Sequence, residues 1–500
     1  MSADAPVDKP SSPTTSTDEK LAVQSSNFGG DDHSESDVAE NSALEGVWTK
    51  MDFYVLPLVT LFWLLSFLDR TNIGNAKVAG LLTSLKMDAK QYSIALTVTY
   101  VPYIVAELPS NLLLKKVGPH RLLPTLLTLW GIVATAQGAV TSYHGLLAAR
   151  FFLGLCEGGV FPGLVLYLSY FYPRQKLQLR VAMFFSAAAF SGAFSGIMAY
   201  GIQKHLTGSH GRLGWQWIFI IEGVITIFIG VVSFFLWPAS VASAYFLTEE
   251  EKQYVTGRLK VDGAIQRREE ADGFRAGEIL KAFTSLHVLL IGAVLFFSGT
   301  TLFALAYFTP SILASLGYVG SKAQLMSVPP YSVAFVVSVI TAIVSDRFRA
   351  RGYITFIGSL LCIAGFAMFL KSTNHHVQYG SLFLSIPGTY IIAPTLSTWA
   401  ANNSAPYTRR ATTIAIVFSC TNSGGILSTW LLSTISPPPR YTEGTRILLA
   451  FNVSIGVGAL LLLAYLKREN KKKAEVRKSV SREEEEEGLG DKSAWFEYSL

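Results

Sequence analysis

The chain has 500 residues, half of them apolar and only 15% charged, and its mean hydropathy is positive. A water-soluble globular protein of this length does not carry that balance. The 41 Lys and Arg against 35 Asp and Glu leave a net charge of +6, too modest a surplus to make a nucleic-acid surface.

Residues 1–45 are rich in Ser, Thr, Asp and Pro and place no basic cluster ahead of an apolar core. They read as a disordered tail, not a cleaved leader. Apolar runs of about 20 residues, enough to cross a bilayer of roughly 30 Å, then follow one another. Six lie near 52–74, 92–114, 121–141, 146–172, 179–203 and 215–237, and six near 286–310, 326–346, 353–371, 379–401, 410–434 and 446–466. The stretch between the sets, 239–285, is charged and too polar to span, so it reads as a loop. The predicted fold is therefore an all-α polytopic membrane protein: twelve transmembrane helices in two six-helix halves, 46–238 and 286–466. The remaining segment, 467–500, passes from a basic cluster to the acid run REEEEEG and reads as a solvated tail.

Orientation follows from Lys and Arg near the span ends. Lys115, Lys116, Arg121, Arg174, Lys176, Arg180, Arg347, Arg349, Arg351, Arg409 and Arg410 all fall on one side, together with the central loop and the basic run KRENKKK. That side is predicted to be cytoplasmic, and both termini with it.

Cys156, Cys362 and Cys420 fall inside spans and call for no disulfide. The sequence holds no phosphate-binding GxxxxGK[ST] loop and no His or carboxylate cluster with metal spacing. The reading is of a carrier driven by an ion gradient, with no enzyme activity, cofactor or metal.

Charges inside spans are then the informative residues, since each costs roughly 2.5–3.5 kcal/mol at a helix centre. In SFLDRTNIGNAKVAG, Asp69 and Arg70 are adjacent and so point about 100° apart around a helix. Arg70 offers a planar fork of donors that matches a carboxylate, which makes it the leading binder of a small organic anion. In RFFLGLCEGGVFPG, Arg150 and Glu157 stand two turns apart on one face, about 10.5 Å, too far for a direct pair. Arg150 is also placed to snorkel or to pair between helices.

Glu107 in AELPSN and Glu222 in IFIIEGV are further acids in or near spans, suited to a second proton site or to a helix-end interaction. Asn72, Asn75, Asn402 and its neighbour Asn403 carry amides that bind substrate or join helices. Trp399 could stack on an aromatic acid or anchor an interface. Tyr307 precedes Pro310, where the helix is expected to break beside the cavity. The Gly-rich runs SGAFSG and NSGGI suit close helix packing.

The turns after the second and eighth spans, SNLLLKKVGPHR and SDRFRARG, resemble the G-x-x-x-D-R-x-G-R-R signature of the major facilitator superfamily. Asp346, Arg347 and Gly118 fit its cytoplasmic gating positions, while Lys115 stands where the first copy has its acid and Asn111 where it has its first glycine. The fourth span resembles the anion:cation symporter branch through Arg150, Gly154, Glu157, Gly158 and Pro162. With FLDRTNIGNAKVAGL and ELPSNLLLKKVGP it is similar to the fungal allantoate, nicotinate and pantothenate permeases. The resemblance covers residues 46 to 470.

It implies proton-coupled uptake of a small organic anion by alternating access at the plasma membrane. Asp69 and Glu157 would couple the proton, and Arg70 would bind the anion. Glu107 is a further candidate for the proton; Arg150, Asn72, Asn75, Tyr307, Trp399 and Asn402 are candidates for the substrate. The partners expected are the anion, protons and lipid. An exporter of an acidic secondary metabolite and a nutrient receptor without flux are the alternatives.

Overall fold

The computed structural model describes residues 35–271, 276–348, 350–405, 407–436, 438–479, 485 and 490–500. The chain divides into two compact units, Met1–Met51 and Asp52–Leu500. The described part of the first, 35–51, is helical, where a disordered tail was expected to run to residue 45; the rest of that tail lies outside the described residues.

The helices longer than five residues are α1 (Glu35–Val78), α2 (Ala89–Val117), α3 (Pro119–Gln137), α4 (Tyr143–Glu157), α5 (Val160–Ser169), α6 (Arg174–His205), α7 (Gly214–Leu236), α8 (Glu249–Ala271), α9 (Ala276–Thr284), α10 (Leu286–Ser315), α11 (Ser321–Phe348), α12 (Arg351–Lys371), α13 (His375–Asn402), α14 (Tyr407–Trp430) and α15 (Thr442–Val476). No strand occurs among the described residues. Every segment predicted to span is helical, and nine helical stretches among the described residues are long and apolar enough to cross a membrane. The others, α2, α3 and α13, are diluted by Pro, Thr, Ser and Gln. Such residues are at home on helix faces turned toward other helices.

Local chemistry sets the helix starts. Asp88 and Gln91 form a reciprocal cap at α2, with Gln91 N–H donating to Asp88 Oδ1 at 2.6 Å and Asp88 N–H to Gln91 Oε1 at 3.0 Å. Gly118, at φ +84°, joins α2 to α3 in the left-handed region where a Cβ is strained. The helix pair α4 and α5 is interrupted at Gly158 and Gly159. Pro162 has no N–H to donate to the carbonyl four residues back, that of Gly158, so the helix loosens immediately after Glu157.

Two expectations are corrected. The central segment 239–285 is not plain loop: α8 and α9 lie in it, and α8 is started by a Thr248–Glu251 cap (2.8 and 3.3 Å) with three acids in its first turn. Pro310 does not break its helix, which continues to Ser315. Beside it the hydroxyls of Thr309 and Tyr331 both donate to the Leu305 carbonyl, at 2.6 and 3.2 Å. Such neighbours let a membrane helix keep a proline.

Packing pairs α3 with α7, α2 with α4, α10 with α14, and α12 with both α13 and α15. Contacts between helices before residue 240 and those after 285 include α6 against α11 and α13, α2 against α14, and α1 against α10 and α11. Glycines make these approaches close: a Cβ on Gly154 or Gly158 would come within 3.0 Å of the Thr99 or Tyr103 carbonyl on α2.

Candidate functional site

Asp69 and Arg70 face different neighbours, as their angular separation requires. Arg70 Nη2 donates to Glu157 Oε2 at 3.2 Å, joining α1 to the end of α4. Trp130 Nε1, on α3, donates to Asp69 Oδ2 at 2.5 Å. Both carboxylates are 1% exposed and Arg70 is 9% exposed, so the ion pair sits in a low-dielectric interior. One oxygen of each acid, Asp69 Oδ1 and Glu157 Oε1, accepts no hydrogen bond.

Aromatic rings complete the surroundings of the guanidinium. It lies 5.2, 5.3 and 5.5 Å from the ring centres of Phe67, Tyr103 and Phe303, within cation–π range. Tyr100 of α2 and Tyr307 of α10 share a hydroxyl–hydroxyl hydrogen bond of 2.7 Å beside it. Arg70, Glu157, Tyr100, Tyr103 and Tyr307, with Leu96, Thr99, Arg150 and Leu153, line a void of about 10 Å³. That is barely the room one water needs. In this structure the site is filled by its own side chains, and a molecule larger than a water fits only if they separate.

Arg150 lies on the same α4 face as Glu157, and its guanidinium is 5.6 Å from the Phe219 ring of α7. Its Nε and Nη2 donate no hydrogen bond, and its charge acts on Asp69. Glu222, also on α7, is 1% exposed, and Asn72, Asp69, Arg150 and Glu157 are its interacting neighbours. Three helices of the first half, α1, α4 and α7, thus place three carboxyls and two guanidiniums together.

The remaining candidates divide. Asn72 is fully buried at this cluster, beside Glu222. Asn75 joins helices: its Nδ2 donates to Ser195 Oγ at 3.0 Å, and its carbonyl accepts from Gln324 Nε2 at 3.2 Å. Glu107 is half-buried on α2 and does not line the void. Trp399 is buried away from the void lining, its indole N–H donating to the Ser499 carbonyl at 2.8 Å, and Asn402 stands at the end of the same helix. Gly118 serves the α2–α3 turn, Arg347 is exposed at the end of α11, and the Asp346 side chain lies outside the described residues.

Sequence reasoning missed Tyr100, Tyr103, Trp130 and Phe303. Tyr100, Tyr103 and Glu107 follow a 3–4 spacing along one helix, a signal that could have marked a polar face on α2. Nothing in the local pattern singled out Trp130 or Phe303.

The sequence profile described as the Major Facilitator Superfamily matches residues 59–429. The chain belongs to that superfamily of transporters. This transporter is 36% identical over 454 residues to an uncharacterized transporter of Schizosaccharomyces pombe, covering 90% of this chain and 89% of the other. It is 33% identical over 458 residues to the high-affinity nicotinic acid transporter of Saccharomyces cerevisiae, covering 90% and 84%. Among solved structures, the xylose transporter XylE from E. coli, in a partially occluded inward-open conformation, matches with a TM-score of 0.63 at 14% identity, over 83% of this chain and 99% of that one. That likeness shows the shared fold alone.

Proposed function

We propose that this transporter is a proton symporter that imports a small organic monocarboxylate, with nicotinate the first to test, across the plasma membrane. The observation that carries this reading is the buried contact between Arg70 and Glu157. A guanidinium is the group that best recognises a carboxylate, and here it is already occupied by a carboxylate of the protein. Cargo and Glu157 therefore compete for one cation. A proton on Glu157 cancels its attraction for Arg70 and frees the fork for the incoming anion; loss of that proton restores the internal pair and expels the cargo.

Charge balance supports the same cycle. With Asp69, Glu157 and Glu222 ionised against Arg70 and Arg150, the cluster holds one excess negative charge in a low-dielectric interior, which one proton neutralises. Asp69, held by Trp130, is the second acid of the coupling. Opening of the site separates Tyr100 from Tyr307 as the helix sets 46–238 and 286–466 rock about it, with both termini in the cytoplasm. The named cargo of the Saccharomyces cerevisiae relative makes nicotinate the first choice.

The test is uptake of labelled nicotinate, pantothenate and allantoate into cells expressing the chain, in acidic and near-neutral medium, with and without a protonophore. Saturable uptake that is faster in acid and abolished by the protonophore supports the reading. Absence of uptake of every member, with the protein confirmed at the surface, refutes it in favour of export or sensing.

A further inference from the structure

Residues 491–500, DKSAWFEYSL, do not behave as a solvated tail: Asp491, Ala494 and Tyr498 are buried. Their partners are spread over the ends of five helices. The Asp491 carboxylate pairs with Arg409 of α14 and lies 3.7 Å from His287 Nε2 of α10. Its N–H donates to the Ala405 carbonyl at 3.0 Å, and its carbonyl accepts from Lys473 Nζ of α15. Lys473 Nζ also donates to the Phe496 carbonyl at 2.9 Å and stands 3.9 Å from the centre of the Tyr498 ring.

Two asparagines then hold the segment's backbone reciprocally. Asn470 of α15 accepts from the Tyr498 N–H and donates to the Tyr498 carbonyl, both at 2.8 Å. Asn403 accepts from the Ser499 N–H at 2.8 Å and donates to the Ser499 carbonyl at 3.0 Å, where Trp399 adds its indole N–H. The Arg351 N–H of α12 donates to the Leu500 carbonyl at 2.8 Å. A primary amide can turn one N–H and its carbonyl oxygen side by side toward a residue's C=O and N–H, as a neighbouring strand does, so each asparagine pairs with extended backbone. Burial pushes the Tyr498 phenol up to about 12, which keeps it neutral over the lysine.

We infer that the ends of α10, α12, α13, α14 and α15 form a peptide-docking site whose ligand is the chain's own segment 491–500, anchored by an acid at one end and by backbone pairing to Asn470 and Asn403 at the other. Every partner named lies after residue 286, so docking ties the ends of the second helix set into one body that moves as a unit. Trp399 and Asn403, residues that read as substrate candidates in sequence, belong to this site. The inference is independent of which cargo is carried.

Hydrogen–deuterium exchange on the purified full chain tests it. The peptide covering 491–500 exchanges at least about tenfold more slowly than a free peptide of the same sequence, because docked amides open only when the segment leaves. Asn403→Ala combined with Asn470→Ala restores fast exchange there and leaves α1 unchanged. As a second readout, Asp491→Asn and Arg409→Gln each lower the melting temperature, and the double variant loses less than the sum. Exchange in the unaltered chain as fast as in the free peptide overturns the inference, as do strictly additive losses in the cycle.

Discussion

At the scale of single residues, the proposed symport turns on a competition between cargo and Glu157 for Arg70. The guanidinium has one carboxylate within 3.2 Å and three aromatic faces around it, so its geometry matters as much as its charge. Arg70→Lys keeps the charge and loses the fork; labelled-carboxylate uptake is expected to fall at least about tenfold with surface expression intact. Glu157→Gln makes the internal competitor permanently neutral. Carboxylate then still binds, but net uptake becomes insensitive to the proton gradient while exchange of labelled for unlabelled cargo continues. The sign follows from the cycle: acid favours the form in which Arg70 is free, so wild-type uptake rises as the outside pH falls, and the Gln variant has no such slope.

At the scale of elements, the helices were largely legible because each span carries its own apolar length, a property of the sequence that needs no partner. The Asp69–Arg70 divergence was legible too, since it follows from helix geometry. What escaped was set by partners: Trp130 finds Asp69 across 61 residues of sequence, and Phe303 finds Arg70 from the other helix set. The start of α8 was readable in TEEE as a capping box and was passed over because the segment is too polar to span. The acid that closes segment 491–500 onto Arg409 looked like part of a solvated tail for the same reason, that its partners lie far back in the chain. Close helix approach, by contrast, was announced by the glycines. Gly158→Ala would drive a Cβ into the Tyr103 carbonyl, a rigid neighbour. A loss of about 1–3 kcal/mol is expected, read as a lower melting temperature and reduced yield of folded protein.

At the scale of the whole molecule, the site is shut by contacts between helices from the two ends of the chain. The Tyr100–Tyr307 hydrogen bond is one of these beside Arg70. Tyr307→Phe removes it and weakens the closed arrangement by about 0.5–1.5 kcal/mol. A cysteine introduced at Thr99, on the void lining, is then expected to react with a small thiol reagent roughly two- to tenfold faster than in the parent background, a factor of the size such an energy supports. An unchanged labelling rate would place the closing energy elsewhere. On the proposed symport, the competition at Arg70 and the opening of this contact are two views of one cycle, in which the anionic cargo replaces the negative charge that the proton removes from Glu157, so that proton and cargo together leave the net buried charge unchanged. The measurement that reaches this claim most directly uses the purified chain in liposomes loaded with a pH-sensitive dye. Addition of external nicotinate is predicted to acidify the interior as cargo enters, with no acidification in Arg70→Ala. Entry of nicotinate without proton movement would contradict the account.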